Sequence, residues 1–134
     1  MSKYDTLNLI LAWLPALCVS LLSVIYPLRI ICKKRQLPPS NLLCRINGFL
    51  RKIHKHLGML VILFAFIHCR VSSQKLGLNS GTLCLIVLVL LALTYLFRKS
   101  LKRSWLLLHR WLTVLLLVVI VLHILITRLT DFNF

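Results

Sequence analysis

Two stretches decide the reading of this chain: RKIHKHLGMLVILFAFIHC at residues 51–69 and WLLLHRWLTVLLLVVIVLHIL at residues 105–125. Each is an almost unbroken apolar run with a histidine towards either end, His54 and His68 in the first, His109 and His123 in the second. Fourteen residues separate the two histidines in both runs. At about 100° per residue, fourteen positions fall about 40° short of four full turns, so each pair shares one helix face and is about 21 Å apart along the axis. Runs of this length without polar–apolar alternation predict helices that cross a bilayer and not strands of a membrane barrel.

Composition agrees. Of 134 residues, 60% are apolar, and the mean hydropathy is +0.93. Charged residues are 14%, against about 25% in an ordinary soluble domain, which excludes a soluble enzyme and a disordered tail. Lys and Arg number 17 against two acids, Asp5 and Asp131. The bases lie between apolar runs, where they meet anionic lipid headgroups, so the net charge of +15 signals a bilayer and not nucleic acid. The expectation is an all-α integral membrane bundle of four transmembrane helices over about 6–31, 42–70, 81–98 and 103–128, one domain spanning residues 1–134. The first run is too long for a signal-peptide core and lacks a basic cluster at its start, so it reads as a retained helix. In the second, Arg45, Arg51, Lys52 and Lys55 extend the span by snorkelling. Pro38-Pro39 stops the first helix, and Ser40 or Asn41 caps the next. Residues 71–81 read as a loop and 98–104 as a tight basic turn.

Lys and Arg counts in short loops set orientation. The first connection and its flanks hold Arg29, Lys33, Lys34, Arg35, Arg45, Arg51, Lys52 and Lys55, and the third holds Arg98, Lys99, Lys102, Arg103 and Arg110. The other side has Lys3, Arg70, Lys75 and Arg128. Loops 1–2 and 3–4 are therefore expected in the cytoplasm and both termini outside, in what we expect to be a bacterial cytoplasmic membrane. The two histidine-bearing helices then run in the same direction. His54 comes level with His109 on the cytoplasmic side, and His68 with His123 on the outer side.

Two imidazoles at each of two depths suit haem. Structural zinc takes four protein ligands and catalytic zinc usually three, whereas a porphyrin brings four nitrogens and needs only two from protein. The spans contain no carboxylates, which excludes a proton pump or cation transporter built on buried acids. The metal ligands expected for two b-type haems are thus His54, His109, His68 and His123. His56 points about 200° away from His54 and is expected at the headgroups or a haem edge, not on iron. Gly58, one turn after His54, leaves room for a porphyrin near the backbone, its alternative role being close helix contact. Arg51, Lys52, Lys55 and Arg110 are candidate partners for propionates on the inner side, and Arg70, Lys75 and Arg128 on the outer side. Trp105 and Trp111 are interfacial aromatics. The five cysteines form no CxxC or CxxCH, which disfavours iron–sulfur clusters and covalent haem. They are expected to pack as unpaired apolar residues, with a Cys69–Cys84 bridge the one pairing considered.

On these residues the chain resembles the ferric-reductase-like transmembrane domain family. That family includes ferric reductases, the membrane core of NADPH oxidases and the haem-binding membrane subunit of the bacterial periplasmic methionine sulfoxide reductase system. The likeness covers about residues 45–128. It is carried by Lys55, Leu57-Gly58 and His68, and by Leu108-His109-Arg110 with His123 four turns on. It implies b-type haem ligation by the same four histidines. Two features depart from the family. Members commonly have six membrane helices, and many carry a flavin and NAD(P)H module, for which this chain has no Gly-rich fingerprint. The functional expectation is an electron-carrying subunit without its own catalytic domain, part of a larger complex with redox partner proteins on one or both faces, or a quinone entering from lipid. Its rivals are a membrane anchor in which haem is structural, and a small channel or transporter without haem.

Overall fold

The computed structural model describes residues 3–72 and 79–131, and all regular structure among them is helical. In chain order the helices are α1 (Lys3–Ser23), α2 (Ile25–Lys34), α3 (Leu42–Ser72), α4 (Ser80–Leu96), α5 (Arg98–Leu101) and α6 (Ser104–Asp131). Three segments are long and apolar enough to cross a membrane: Leu9–Lys34, Leu42–Ser72 and Ser104–Leu129. The fourth apolar helix, α4, has 17 residues. At 1.5 Å per residue it is about 25 Å long, short of a hydrocarbon core of about 30 Å.

The first span is not the single helix expected over 6–31. It breaks at Val24, between α1 and α2. Pro27 explains the break, because its missing N–H leaves the Ser23 carbonyl without an i→i−4 partner and its ring crowds that carbonyl. Pro15 is accommodated within α1. At the end of α2, Gln36 takes a left-handed backbone (φ 48°). The Leu37 N–H then reaches the Cys32 carbonyl (3.0 Å) and the Gln36 N–H the Lys33 carbonyl (3.3 Å), a Schellman stop just before Pro38. Asn41 caps α3, its Oδ1 accepting from the Leu43 N–H (3.0 Å). Asn79 does the same for α4, accepting from the Thr82 N–H (2.8 Å). The expected turn at 98–104 contains the short helix α5, and Lys102 makes the reversal with φ 47°. Of the expected 71–81 loop, residues 73–78, with Lys75, lie outside the described residues.

The turn at Pro38-Pro39 folds α2 back on α3 and brings Cys32 and Cys44 to a Cα separation of 5.9 Å, joined by a disulfide. This corrects the expectation of unpaired cysteines. Cys84, which a Cys69–Cys84 bridge would have used, keeps its thiol.

α1, α3, α4 and α6 share one core. Val19, Val61, Val87, Leu88, Leu91 and Leu116 meet at its centre. α3 packs on α1, α2 and α4, while α6 packs on α4, α1 and α5. α3 and α6 are therefore diagonal, and no Cα of one comes within 8 Å of a Cα of the other among the described residues. Most apolar side chains point outward: Met59, Leu63 and Phe66 on α3 and Leu107, Val118 and Val121 on α6 are all exposed. Only 11% of each long apolar window is buried within the chain, a surface suited to lipid. Inside lipid, the helices are held by close packing and not by apolar burial, so an interior void is costly. Leu116→Ala (2% exposed) should destabilise the protein in detergent by about 2–5 kcal/mol, the usual scale for a buried leucine, and so lower its unfolding midpoint. Leu122→Ala (50% exposed) should leave it unchanged, and thermal unfolding followed by circular dichroism compares the two.

Candidate functional site

The column between the diagonal helices is where the histidines meet. The His54 and His109 rings lie with centroids 6.1 Å apart and planes at 68°. His68 and His123 are close enough to interact electrostatically. Two imidazole levels therefore stand in register, with His54 beside His109 and His68 beside His123, which requires α3 and α6 to run in the same direction, as the alternation of spans predicts. All four rings are half-buried, whereas His56 is exposed. A bilayer interior offers a polar ring no water, so each nitrogen needs a protein or ligand partner.

α4 supplies partners on one side. Thr94, buried, places Oγ1 2.8 Å from His109 Nδ1, and Ser80 places Oγ 2.8 Å from His123 Nδ1. On the other side, the Nδ1 atoms of His54 and His68 are buried with no hydrogen-bond partner. Sequence reasoning missed the hydroxyls, yet they carry a signal: Ser80 and Thr94 are also fourteen residues apart. Stepping fourteen forward along α4 and fourteen back along α6 leads from one hydroxyl–imidazole pair to the other, as antiparallel neighbours demand.

The two glycines beside the column behave differently. A Cβ on Gly81 would stand 3.3 Å from His123 Cε1, so Gly81 lets α4 approach that ring closely. A Cβ on Gly58 would meet nothing within 4 Å, so Gly58 borders open space and not a close helix contact. Asn47, two turns before His54 on the same face, is buried with its Oδ1 unpartnered. Arg51 and Lys52, with Gly48, line a cleft of about 400 Å³. Arg110 stacks its guanidinium over Tyr26 at 4.0 Å, in a second cleft of about 250 Å³ with Leu107, Trp111 and Val114. Trp105 lies edge-on to His109, with centroids 6.2 Å apart. Arg70 and Arg128 are exposed in the last turns of α3 and α6.

The donor set suits a group that needs two axial nitrogens. A metal held by two imidazoles at about 2 Å each, the common metal–imidazole distance, sets ring centres about 6 Å apart, and the His54–His109 spacing is of that size. Among the described residues no cluster of three or more His, Cys, Asp or Glu could hold a bare ion. Two imidazoles at a level are a donor set that a group bringing its own equatorial nitrogens could complete. No protein family, curated protein or solved structure matches the chain. The site's chemistry therefore has to be read from its own geometry. Gly81→Val should push the His123 ring off Ser80, raising its carbethoxylation by diethyl pyrocarbonate relative to wild type. Gly58→Ala, with nothing near its Cβ, should leave all four rings unchanged in the same assay.

Proposed function

We propose that this chain is a dihaem b-type cytochrome subunit, ferric-reductase-like, that carries electrons across a membrane between partners on its two faces. The doubled imidazole pair on co-directional helices is the observation that supports it. His54 and His109 would hold one haem, and His68 and His123 the other. When bound, each haem supplies a one-electron couple, and the axial ligands help set its potential. The chain's own residues do the remaining work. The packed core of Val61, Leu88 and Leu116 keeps water from the column between the levels. Thr94 and Ser80 orient the α6 rings. Arg51, Lys52 and Arg110 at one end, and Arg70 at the other, offer cations to acidic groups.

In this reading α4 is a fourth span. Its hydrophobic length is completed by local bilayer thinning and by flanking basic side chains that reach the headgroups. The Lys/Arg asymmetry sets the 1–2 and 3–4 connections in the cytoplasm and the termini outside, in a bacterial cytoplasmic membrane. The exposed basic connections suit an acidic electron-transfer partner. In this reading redox partner proteins of a larger complex would gather and deliver the electrons. The Cys32–Cys44 pair lies in a connection that this orientation sets on the reducing side, where thiols are kept reduced. In this reading the Cys32–Cys44 disulfide of the structure is reduced to two thiols in cells.

Three experiments test the proposal. Pyridine haemochrome assay with protein quantitation should give one haem per level. His54→Ala and His109→Ala should each abolish the same component of a redox titration, and His68→Ala and His123→Ala the other. Purified protein without a Soret band defeats the reading. For sidedness, a chain keeping only Cys32 and Cys44 should react with a membrane-impermeant maleimide after permeabilisation and not before. Labelling of intact cells, or thiols silent until a reductant is added, reverses the orientation.

A further inference from the structure

The hydroxyls of α4 do more than satisfy two imidazoles. The geometry points to Thr94 as a positioning residue that locks His109 in the tautomer with its proton on Nδ1, leaving the Nε2 lone pair for the column; the consequence for a haem iron rests on the function proposed above.

Thr94 Oγ1 lies 2.7 Å from the Leu91 carbonyl and 2.8 Å from His109 Nδ1. A hydroxyl has one proton. A carbonyl can only accept, so the Thr94 proton goes to Leu91. The second contact is then possible only with Oγ1 accepting, and Nδ1 must carry the hydrogen. A neutral imidazole has one N–H, so Nε2 is left as the lone-pair nitrogen. The hydrogen-bond chain from Nδ1 through Oγ1 to the carbonyl runs in one direction, so each bond strengthens the next.

The other level is built differently. Ser80 is the first residue of α4, and no preceding turn of that helix offers its hydroxyl a carbonyl. Its Oγ has His123 Nδ1 as partner and a proton not otherwise assigned among the described residues. The same bond can therefore run in either direction, and His123 is not held to one tautomer. The α3 rings have no Nδ1 partner at all. The four imidazoles thus fall into three kinds: His109 locked, His123 bonded but unlocked, and His54 and His68 unbonded at Nδ1. A ligand imidazole whose Nδ1–H is hydrogen-bonded is the more basic donor. Thr94 would therefore make His109 a more basic ligand than it would be without the hydroxyl, favouring the oxidised iron at its level.

The test begins on haem-free protein in detergent, with ¹⁵N-labelled histidine. Long-range ¹H–¹⁵N spectra should show His109 protonated at Nδ1 in wild type and in Thr94→Ser, which keeps the hydroxyl. Thr94→Val, nearly the same shape, should lose that preference. Ser80→Ala should leave His109 unchanged. A wild-type His109 protonated at Nε2, or a Thr94→Val spectrum like wild type, overturns the lock. On haem-loaded protein, Thr94→Val should raise the midpoint potential of the component that His109→Ala abolishes. Thr94→Ser should restore it, and the other component should not move. Haem bound at both levels with no shift in Thr94→Val overturns the tuning role. Failure of wild type to bind haem overturns the function proposed above, while the tautomer spectra still judge the lock.

Discussion

An imidazole inside hydrocarbon has to find a partner for each nitrogen within the protein or on something the protein holds. The arrangement around the column follows from that requirement. Placed singly on a lipid-facing surface, His54, His68, His109 and His123 would each cost free energy for no return. Placed on the facing sides of two diagonal helices, they meet in pairs at two depths. α4 meets half of the demand through Thr94 and Ser80. The unpartnered Nδ1 atoms on α3 show that it does not meet the other half.

The topology makes this possible with little apparatus. Short connections force consecutive spans to run in opposite directions, so the second and fourth apolar helices are necessarily parallel. Packing in the order α1, α3, α4, α6 sets the parallel pair across a diagonal, where their backbones stay apart and long side chains bridge the gap. α4 touches both and can serve rings at both levels, because its hydroxyls repeat at the same interval as the histidines. Gly81 supports this by allowing α4 to approach His123 without a side chain between them. The outward faces do nothing for the site and are free to be Leu, Val and Phe throughout, as lipid requires.

Charge and sulfur give opposite hints about one connection. The Lys and Arg density around residues 29–55 is the signature of a cytoplasmic loop. The approach of Cys32 to Cys44 is the kind of contact oxidising compartments convert into a bond. Geometry does not depend on compartment, whereas oxidation does. The Pro38-Pro39 turn brings the two sulfurs together on whichever side of the membrane it lies.

What the sequence determined by itself was local and periodic. Helical phase follows from 3.6 residues per turn, so the fourteen-residue interval already placed each histidine pair on one face, and alternating spans made those faces parallel. A cap at Ser40 or Asn41 and the stop before Pro38 were legible because capping and proline chemistry act over a few residues, and the structure selects Asn41. Tertiary structure decided whatever depended on which neighbour a group meets. Thr94 could not be singled out in advance: Ser20, Thr113 and Thr127 also bond to their own helix carbonyls, and nothing local reveals that Thr94 Oγ1 has an imidazole on its other side. The pairing of Cys32 with Cys44 likewise came from how a turn folds. The break at Val24 came from Pro27 acting where Pro15 did not. Periodicity fixes where a side chain points along its own helix, but only packing of one helix on another decides what it finds there.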